Sequence, residues 1–395
     1  MAKKTIRDIE VKGKRALVRV DFNVPLDIKT GAISDDSRIR AVLPTIKYLV
    51  EHKAKVIICS HLGRPDGKVV EGLRMAPIEQ RLSQLISLPV STTSDCIGAD
   101  VEKAVNNLKP GDILLLENLR FHAEEEANDP SFAQALAKLA DIYVDDAFGT
   151  AHRAHASTVG VAKYLPAVAG FLMEKELEAL GSLLTSPEHP FGALLGGAKA
   201  SDKIGLIQNI MDKVDLLLIG GGMAATFLKA QGYELGLSPV EAEKQGLAKE
   251  LMEAAKRNGG ALLLPTDVIV ASNISPEAKG EAVGVSNIPA NKSIVDIGPQ
   301  TVKHFSQKIK QCRTIFWNGP MGVYEIEQFA TGTKAMAELL ASLKATTIVG
   351  GGSTAEIVEE MNLANKMTHV STGGGASLKF LEGKSLPGVA VLQDK

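Results

Sequence analysis

Short apolar runs alternate along the whole chain with longer amphipathic stretches, and this alternation constrains the fold more than any other feature. It is typical of βα units, in which crossover helices join parallel strands. In the first half, strands are predicted at 15–20, 55–60, 112–118 and 141–148. In the second half, strands are predicted at 191–197, 215–222, 261–265, 313–320, 346–352 and 368–375.

The chain has 395 residues, which is too long for one hydrophobic core, because single cores stop growing near about 250–300 residues. A long periodic segment, FLMEKELEALGSLL, is followed by TSPEHP and is interpreted as the connector between two lobes, with the boundary near residue 172. We therefore predict an α/β protein of two Rossmann-like, three-layer αβα domains with parallel sheets. The protein is expected to be bilobal, with a central cleft and a hinge between the two domains.

Local signals predict where two helices of the first half begin. The stretch SRIRAVLPTIKYLVEH predicts a helix with Ser37 as its N-cap and with Pro44 in its second turn. Pro130 lies near the start of a second predicted helix, DPSFAQALAKLA. The acidic run Glu124–Glu126 is interpreted as a solvated loop.

Charge and composition exclude several classes of protein. Lys and Arg number 44 against 46 Asp and Glu, and the net charge of -2 excludes a globally basic nucleic-acid binder. The apolar runs are shorter than the about 20 residues of a membrane span, and the N-terminal sequence has no apolar signal core. Cys59, Cys96 and Cys312 show no paired spacing, which favours a reducing compartment. We expect a cytoplasmic protein with neither nucleic-acid nor membrane partners.

Side chains that can bind an anion follow the predicted strands of the first half. In open parallel sheets, ligands bind beyond the carboxyl ends of the strands. The residues at these positions are Asp21, Asn23, His61, Arg64, Arg120 and Arg153, with Arg38 at the start of the first helix. Guanidinium groups match phosphate or carboxylate in a bidentate manner, so this half is predicted to bind an acidic small molecule. The alternative is a set of surface arginines in unrelated salt bridges.

Glycine takes the place of these side chains in the second half. The glycines follow four predicted strands, at 196–197, 220–222, 350–352 and 373–375, and Lys199 and Lys203 follow the first pair. Without a Cβ atom, such turns let backbone N–H groups approach a phosphate. The alternative is close packing between helix and strand. With the first half, the pattern predicts phosphoryl transfer between two bound ligands, by positioning and charge stabilisation, with lobe closure excluding water.

A nicotinamide-dependent dehydrogenase is an alternative, because two turns satisfy the loose dinucleotide-binding pattern. These are the turns that begin at Gly220 and Gly350. Such an enzyme would carry an acidic residue about 20 positions further on, at the end of the next strand. Glu241 and Glu243 have the distance, but they lie in a helix-like stretch.

Long motifs along the chain resemble the phosphoglycerate kinase family. They include VRVDFNVP, SHLGRP, LLENLRF, DAFGTAHRAHAST, GGAKASDKIGLI, GGGMAATFLKA, WNGPMGVYE and STGGGASLKFLEGKSLPGVAVL, in one order from near residue 5 to the last residue. The compact length resembles the bacterial form.

The resemblance implies reversible transfer of the acyl phosphate of 1,3-bisphosphoglycerate to ADP, giving 3-phosphoglycerate and ATP in glycolysis and gluconeogenesis. The transfer would be direct and in line after lobe closure, with Mg²⁺ bound as MgATP or MgADP, in a monomer. The C-terminal stretch would return to the first domain from about residue 377. The domains would then be 1–172 plus about 377–395, which binds phosphoglycerate, and 173–376, which binds the nucleotide.

The resemblance also implies the residues of the site. Phosphoglycerate would be bound by Asp21, Phe22, Asn23, Arg38, His61, Leu62, Gly63, Arg64, Arg120 and Arg153. The nucleotide would be bound by Gly197, Lys199, Lys203, Gly220, Gly221, Asn318, Pro320, Glu325, Gly351, Gly352, Ser353 and Thr354. In this set Gly220 and Gly221 would line the adenine pocket, and Asn318, Pro320 and Glu325 would lie at the base and ribose. The transferring group would be stabilised by Arg38, Lys199, Gly373 and Gly374.

One position departs from the pattern of that family. Ser353 stands where the family usually has an aspartate that contacts the magnesium of the nucleotide, and a neutral hydroxyl is a weaker ligand for a hard cation. The cation would then be held mainly by phosphates and water, with Ser353 and Asp202 as the candidate protein ligands. The departure also raises the alternative of a binding or regulatory protein that kept the fold and lost turnover.

Overall fold

The computed structural model describes residues 2–27, 29–257 and 259–395, and its contacts divide the chain into two compact units. The first unit runs to Glu178 and includes Ser385–Lys395, and the second unit is Ala179–Lys384. The sequence-based boundaries were near residues 172 and 377. The predicted boundary near residue 172 and the division after Glu178 both lie inside one continuous helix, Phe171–Thr185.

The first unit contains a six-stranded sheet in which all neighbouring strands are parallel. Its strands are β1 (Arg15–Arg19), β2 (Lys55–Cys59), β3 (Val90–Thr92), β4 (Ile113–Leu115), β5 (Ile142–Asp145) and β6 (Ala167–Ala169). Their order is β3-β4-β2-β1-β5-β6. The order reverses between β1 and β5, and ligands of open α/β sheets bind at such a switch point.

Helices join these strands. They are α1 (Ser37–Glu51), α2 (Ala76–Ile86), α3 (Ala99–Asn106), α4 (Ala123–Glu126), α5 (Pro130–Lys138) and α6 (Phe171–Thr185). The prediction that Ser37 caps α1 is wrong: Asp36 is the capping residue, and Ser37 is already helical and donates its hydroxyl hydrogen bond to Asp35 over 2.8 Å. Pro44 lies inside α1 as predicted.

The second unit contains two sheets, of which the sequence predicted one. The strands in chain order are β7 (Phe191–Leu195), β8 (Leu216–Ile219), β9 (Ala261–Leu263), β10 (Asp267–Ala271), β11 (Glu281–Gly284), β12 (Ser293–Ile297), β13 (Thr314–Asn318), β14 (Thr346–Gly350) and β15 (His369–Val370). A parallel sheet has the order β15-β14-β13-β7-β8-β9, with its switch point between β7 and β13. The additional sheet, β11-β10-β12, is antiparallel.

The helices of the second unit alternate with the strands of its parallel sheet. They are α7 (Ile204–Ile210), α8 (Met223–Ala230), α9 (Gln245–Arg257), α10 (Pro299–Ile309), α11 (Thr331–Ser342), α12 (Gly352–Glu360) and α13 (Gly375–Leu381). The two parallel α/β units confirm the predicted fold class. Within the described ranges, no helix has the length and apolar character that crossing a bilayer requires.

The last segment of the chain packs into the first unit and contains α14 (Pro387–Ala390). The amide of Gly388 donates to the Ala151 carbonyl over 2.8 Å, and the Lys4 amide donates to the Gln393 carbonyl over 2.8 Å. Lys3 forms an ion pair of 2.8 Å with Asp394. Both ends of the described chain therefore belong to the same unit.

Candidate active site

The switch point of the first unit brings most of the predicted anion-binding residues into one network. Asp21 and Asn23 follow β1 directly. The Arg38 guanidinium donates to the Asp21 carboxylate over 2.6 Å, and the Gly63 amide donates to the Asn23 side chain over 2.8 Å. Burial alone would raise the pKa of Asp21, but the neighbouring His61, Arg38 and Arg19 side chains together outweigh burial and keep the pKa low. The acid thus holds the arginine in place as an ion pair.

A buried arginine that the sequence analysis missed lies behind His61. Arg19 is 1% exposed, donates from Nε to the Ser157 hydroxyl over 2.8 Å, and lies 3.4 Å from Nδ1 of His61. Burial holds the pKa of His61 well below its usual range, so the ring is neutral at pH 7. With Arg19 donating to Nδ1, the Nε2 atom of His61 carries the proton. A charged residue in the apolar strand RALVR was the available signal.

Arg120 and Arg153 converge on one acidic side chain. Arg120 donates to the Gly63 carbonyl over 2.8 Å, and its Nε atom lies 3.2 Å from the Glu126 carboxylate. Arg153 lies 4.0 Å from the same carboxylate. This pairing was not predicted, and it joins both arginines to the network around Gly63.

The interpretation of the acidic run as a solvated loop is wrong for Glu125. Its side chain is fully buried and accepts hydrogen bonds from the Ser157 amide (2.9 Å) and hydroxyl (2.5 Å). Burial raises the pKa of Glu125, and the Arg19 charge opposes that effect. The short helix α4 places Glu125 inside the unit and Glu126 at its surface. Three consecutive glutamates in the sequence do not indicate which of them is buried.

The remaining candidates of the first unit differ in exposure. Phe22 and Leu62 are buried, so they support the site from the core. Gly63 has a φ of +65°, and a Cβ atom there would lie 2.7 Å from the Leu73 side chain. The guanidinium of Arg64 is exposed and makes no ion pair within the part of the chain that the structure describes.

In the second unit, the first two glycine turns pack against each other beside the switch point. The amides of Gly197, Gly220 and Gly221 donate to the carbonyls of Pro320 (2.9 Å), Leu195 (2.8 Å) and Met321 (3.0 Å). These N–H groups are therefore occupied, and the interpretation of them as phosphate donors is wrong. Close packing, the alternative, explains these turns, because a Cβ on Gly221 would lie 2.7 Å from the Gly197 nitrogen.

Lys203 and Asn318 form a buried polar pair. Lys203 is 8% exposed, and its ammonium group donates to Oδ1 of Asn318, at the end of β13. Burial lowers the pKa of Lys203. Nδ2 of Asn318 is buried without a hydrogen-bond partner in the structure and faces Gly351. The pair thus joins the turn after β7 to the turn after β14.

The start of α12 carries the next candidates. Gly351 caps this helix with a φ of +91°, and Gly352 and Ser353 are exposed in its first turn. Thr354 is buried, and its hydroxyl accepts from the Gly319 amide over 2.7 Å, so it fixes the turn after β13. Gly374 caps α13 with a φ of +49°, and the Gly373 amide donates to the Ser371 hydroxyl over 3.1 Å.

The four remaining candidates of the second unit are at least partly exposed. Lys199, Asp202 and Glu325 are exposed, and Pro320 is half-buried. Pro320 is tied to the glycine turns through the bond from Gly197.

Known proteins with similar sequences decide the family. Residues 6–384 match the phosphoglycerate kinase family. The chain belongs to the phosphoglycerate kinase family. It is 56% identical to the phosphoglycerate kinase of Pelotomaculum thermopropionicum over 395 residues and 57% identical to that of Dictyoglomus turgidum over 399 residues, with each chain covered in full.

Solved phosphoglycerate kinase structures agree. The structure from Coxiella burnetii has a TM-score of 0.88 at 43% identity, and that from Pyrococcus horikoshii has a TM-score of 0.84 at 35% identity. Each match covers 98% of both chains. The chain is thus a phosphotransferase of glycolysis with the phosphoglycerate kinase fold, and the dehydrogenase alternative is wrong.

Proposed function

We propose that the chain transfers the acyl phosphate of 1,3-bisphosphoglycerate to ADP, and runs the reverse reaction from 3-phosphoglycerate and ATP. The transfer is direct and in line, after the two domains close. The observation that carries the proposal is the arginine network at the switch point of the first unit. The protein acts as a cytoplasmic monomer, without nucleic-acid or membrane partners.

The first unit, as we propose, binds phosphoglycerate through the network around Asp21. Arg38, Arg120 and Arg153 offer guanidinium forks to phosphate or carboxylate oxygens. Neutral His61 donates from Nε2, because Arg19 occupies Nδ1. Phe22 and Leu62 fix the backbone of this site from the core.

The second unit binds the nucleotide around the switch point between β7 and β13. The backbone of the packed glycine turns lines the site for the base, and Glu325 accepts from ribose hydroxyls. Lys203 and Asn318 lie next to Gly351, on the phosphate side of the site. Arg38, Lys199 and the amides of Gly373 and Gly374 stabilise the transferring phosphoryl group, whose charge is spread over its equatorial oxygens. The Gly373 amide exchanges its 3.1 Å bond to the Ser371 hydroxyl for a phosphoryl oxygen.

Magnesium fits this site as a partner of the nucleotide rather than of the protein. The donors available are the exposed Ser353 hydroxyl and Asp202 carboxylate. In the described part of the chain, Asp202 belongs to no group of three His, Cys, Asp or Glu side chains that could hold a metal ion. Such a sparse set suits Mg²⁺, which keeps several waters and binds through substrate phosphates. The ion neutralises phosphate charge when it is bound.

A coupled assay tests the proposed function. ATP and 3-phosphoglycerate with Mg²⁺ should give ADP and an acyl phosphate, which a dehydrogenase added in excess reduces with NADH. Oxidation of NADH should require all three components and the coupling enzyme. Absence of phosphoglycerate-dependent product from the folded protein would favour the non-catalytic alternative.

Arg64→Ala should raise KM for 3-phosphoglycerate about 10- to 100-fold with little effect on kcat, because a hydrogen bond to a charged group contributes about 1.5–3 kcal/mol. The exposed, unpaired guanidinium is free to reach the substrate. Lys68→Ala, an exposed cation of the same loop, is the matched control and should leave KM unchanged. Steady-state kinetics at saturating ATP provide the measurement, and a loss confined to kcat would contradict this role.

Ser353→Asp should lower the magnesium concentration for half-maximal activity about fivefold, because one added negative charge near the cation contributes on the order of 1 kcal/mol. Ser353→Asn is the matched neutral control and should leave the titration unchanged. Activity is titrated with Mg²⁺ at fixed nucleotide. Superimposable curves for the wild type and the aspartate variant would refute Ser353 as a magnesium-contacting position.

A further inference from the structure

Three metal-ligating side chains, none of them assigned to phosphoglycerate, meet at the carboxyl-end edge of the first sheet. Asp95 and Cys96 lie in the loop that follows β3, and His122 directly precedes α4, in the turn that follows β4. Strands β3 and β4 are parallel neighbours, so their carboxyl ends lie at the same edge of the sheet. Topology therefore brings these two loops together.

The three residues share hydrogen bonds. Oδ1 of Asp95 lies 2.6 Å from Nε2 of His122 and accepts from the Cys96 amide over 2.6 Å. One ligand atom from each residue lies within 4.8 Å of the other two. Cys96 is fully buried, whereas the Asp95 side chain is 50% exposed, so a cation can enter from the Asp95 side.

The distances suit a tetrahedral cation. Bonds of about 2.0–2.3 Å to sulfur, nitrogen and oxygen imply ligand–ligand distances of roughly 3.3–3.7 Å. Small side-chain rotations of Asp95 and His122 span the difference from the present spacing. Thiolate and imidazole favour zinc-like ions over magnesium, which prefers oxygen. Among the described residues, neither Cys59 nor Cys312 belongs to such a group.

The loop is already held in shape. The Thr93 hydroxyl donates to the Asp95 carbonyl over 2.7 Å, and the His122 ring centroid lies 5.2 Å from that of Phe132. Ligands fixed in this way lose little freedom when a metal binds, which favours affinity.

We propose that Asp95, Cys96 and His122 form a binding site for one Zn²⁺ ion, with water in the fourth position. The cation takes the place of the thiol proton, which is released to solvent. The imidazole binds as the neutral ring through Nε2, with its proton on Nδ1. The site is separate from the magnesium of the nucleotide, and it ties the loop after β3 to the start of α4.

Titration of the full chain with Co²⁺, in the absence of nucleotide, tests the site. One equivalent should give the visible bands of tetrahedral Co²⁺ together with a thiolate-to-cobalt charge-transfer band in the near ultraviolet, and one equivalent of Zn²⁺ should abolish both. Cys96→Ser should remove the charge-transfer band. The matched control Cys312→Ser, at another buried cysteine, should keep it. A wild type without the band, or a Cys96→Ser variant that keeps it, would overturn the proposal.

Asp95→Asn keeps the test decisive even if Cys96→Ser does not fold, because Asp95 lies at the surface. Zinc affinity, measured by competition with a chromogenic chelator, should fall on the order of 10- to 100-fold. Thermal unfolding without metal should resemble that of the wild type. Unchanged zinc affinity in this variant overturns the site. Neither readout depends on phosphoryl transfer, so the result is independent of the proposed function.

Discussion

Replacing Arg38 by alanine is expected to lower kcat about 10³-fold, with a change of less than about threefold in KM for 3-phosphoglycerate. The guanidinium is fixed by its 2.6 Å ion pair with Asp21, so it is already oriented when charge develops on the transferring group. An interaction made mainly in the transition state is lost from kcat rather than from KM. Steady-state kinetics in both directions provide the measurement.

Arg40→Ala is the matched control for this experiment. Arg40 lies two residues further along α1, is exposed, and pairs with Asp36 over 2.7 Å. Its loss should change kcat by less than about twofold, because surface ion pairs contribute little. Arg38→Lys keeps the positive charge but lacks the planar, bidentate guanidinium group, so it should recover only part of kcat. A large rise in KM at near-normal kcat for Arg38→Ala would show that Arg38 acts mainly in binding the substrate and not in stabilising the transition state.

Replacing Gly319 by alanine is expected to lower the free energy of unfolding of the second unit by about 3–5 kcal/mol. Gly319 has a φ of +95°, and a Cβ atom there would overlap the Gly196 carbonyl oxygen and lie 2.9 Å from the Gly197 nitrogen. Both neighbours are backbone atoms of the packed glycine turns and cannot move aside separately. The single tryptophan, Trp317, donates to the Gly319 carbonyl over 2.9 Å and reports on this unit.

Gly232→Ala is the matched control, because it introduces the backbone strain of a positive φ without a steric overlap. Gly232 has a similar φ of +97°, but no atom lies within 4 Å of its hypothetical Cβ. The Gly232→Ala substitution should lower the free energy of unfolding by only about 1–2 kcal/mol, which is the cost of a left-handed backbone for a residue with a Cβ atom. Urea unfolding followed by tryptophan fluorescence gives both values. Equal losses in the two variants would contradict the prediction, because they would mean that the overlap at Gly319 adds no cost beyond the backbone strain.

The long apolar strands could be predicted from the sequence because their signal is local. All ten predicted strands are present. The missed strands are short or lack an apolar run: β3 is Val-Ser-Thr with two exposed residues, and β6 is Ala-Val-Ala. Strands β10–β12 pair antiparallel in a stretch with little regular spacing, and their pairing depends on contacts distant in the chain.

The site residues that directly follow strands could be predicted from the sequence. Buried partners from distant parts of the chain could not. Asp21, Asn23, Arg38 and Arg120 lie in the predicted region because the strand ends bring them there. Glu125 lies 106 residues after Arg19 in the sequence, and only packing shows that the Ser157 hydroxyl contacts both side chains. The amides of Gly197, Gly220 and Gly221 were misassigned, because the sequence does not distinguish a free N–H group from one that donates to a neighbouring turn.

The return of Ser385–Lys395 to the first unit has a consequence for folding during synthesis. The second unit is one continuous stretch, so all of its residues are synthesised before the last segment of the first unit. The first unit waits for its last segment while about 200 residues of the second are translated, a delay of roughly 10–40 s at cellular rates of about 5–20 residues per second. During that interval the surface around Ala151 lacks its cover, and the nascent first unit is open to proteases and chaperones.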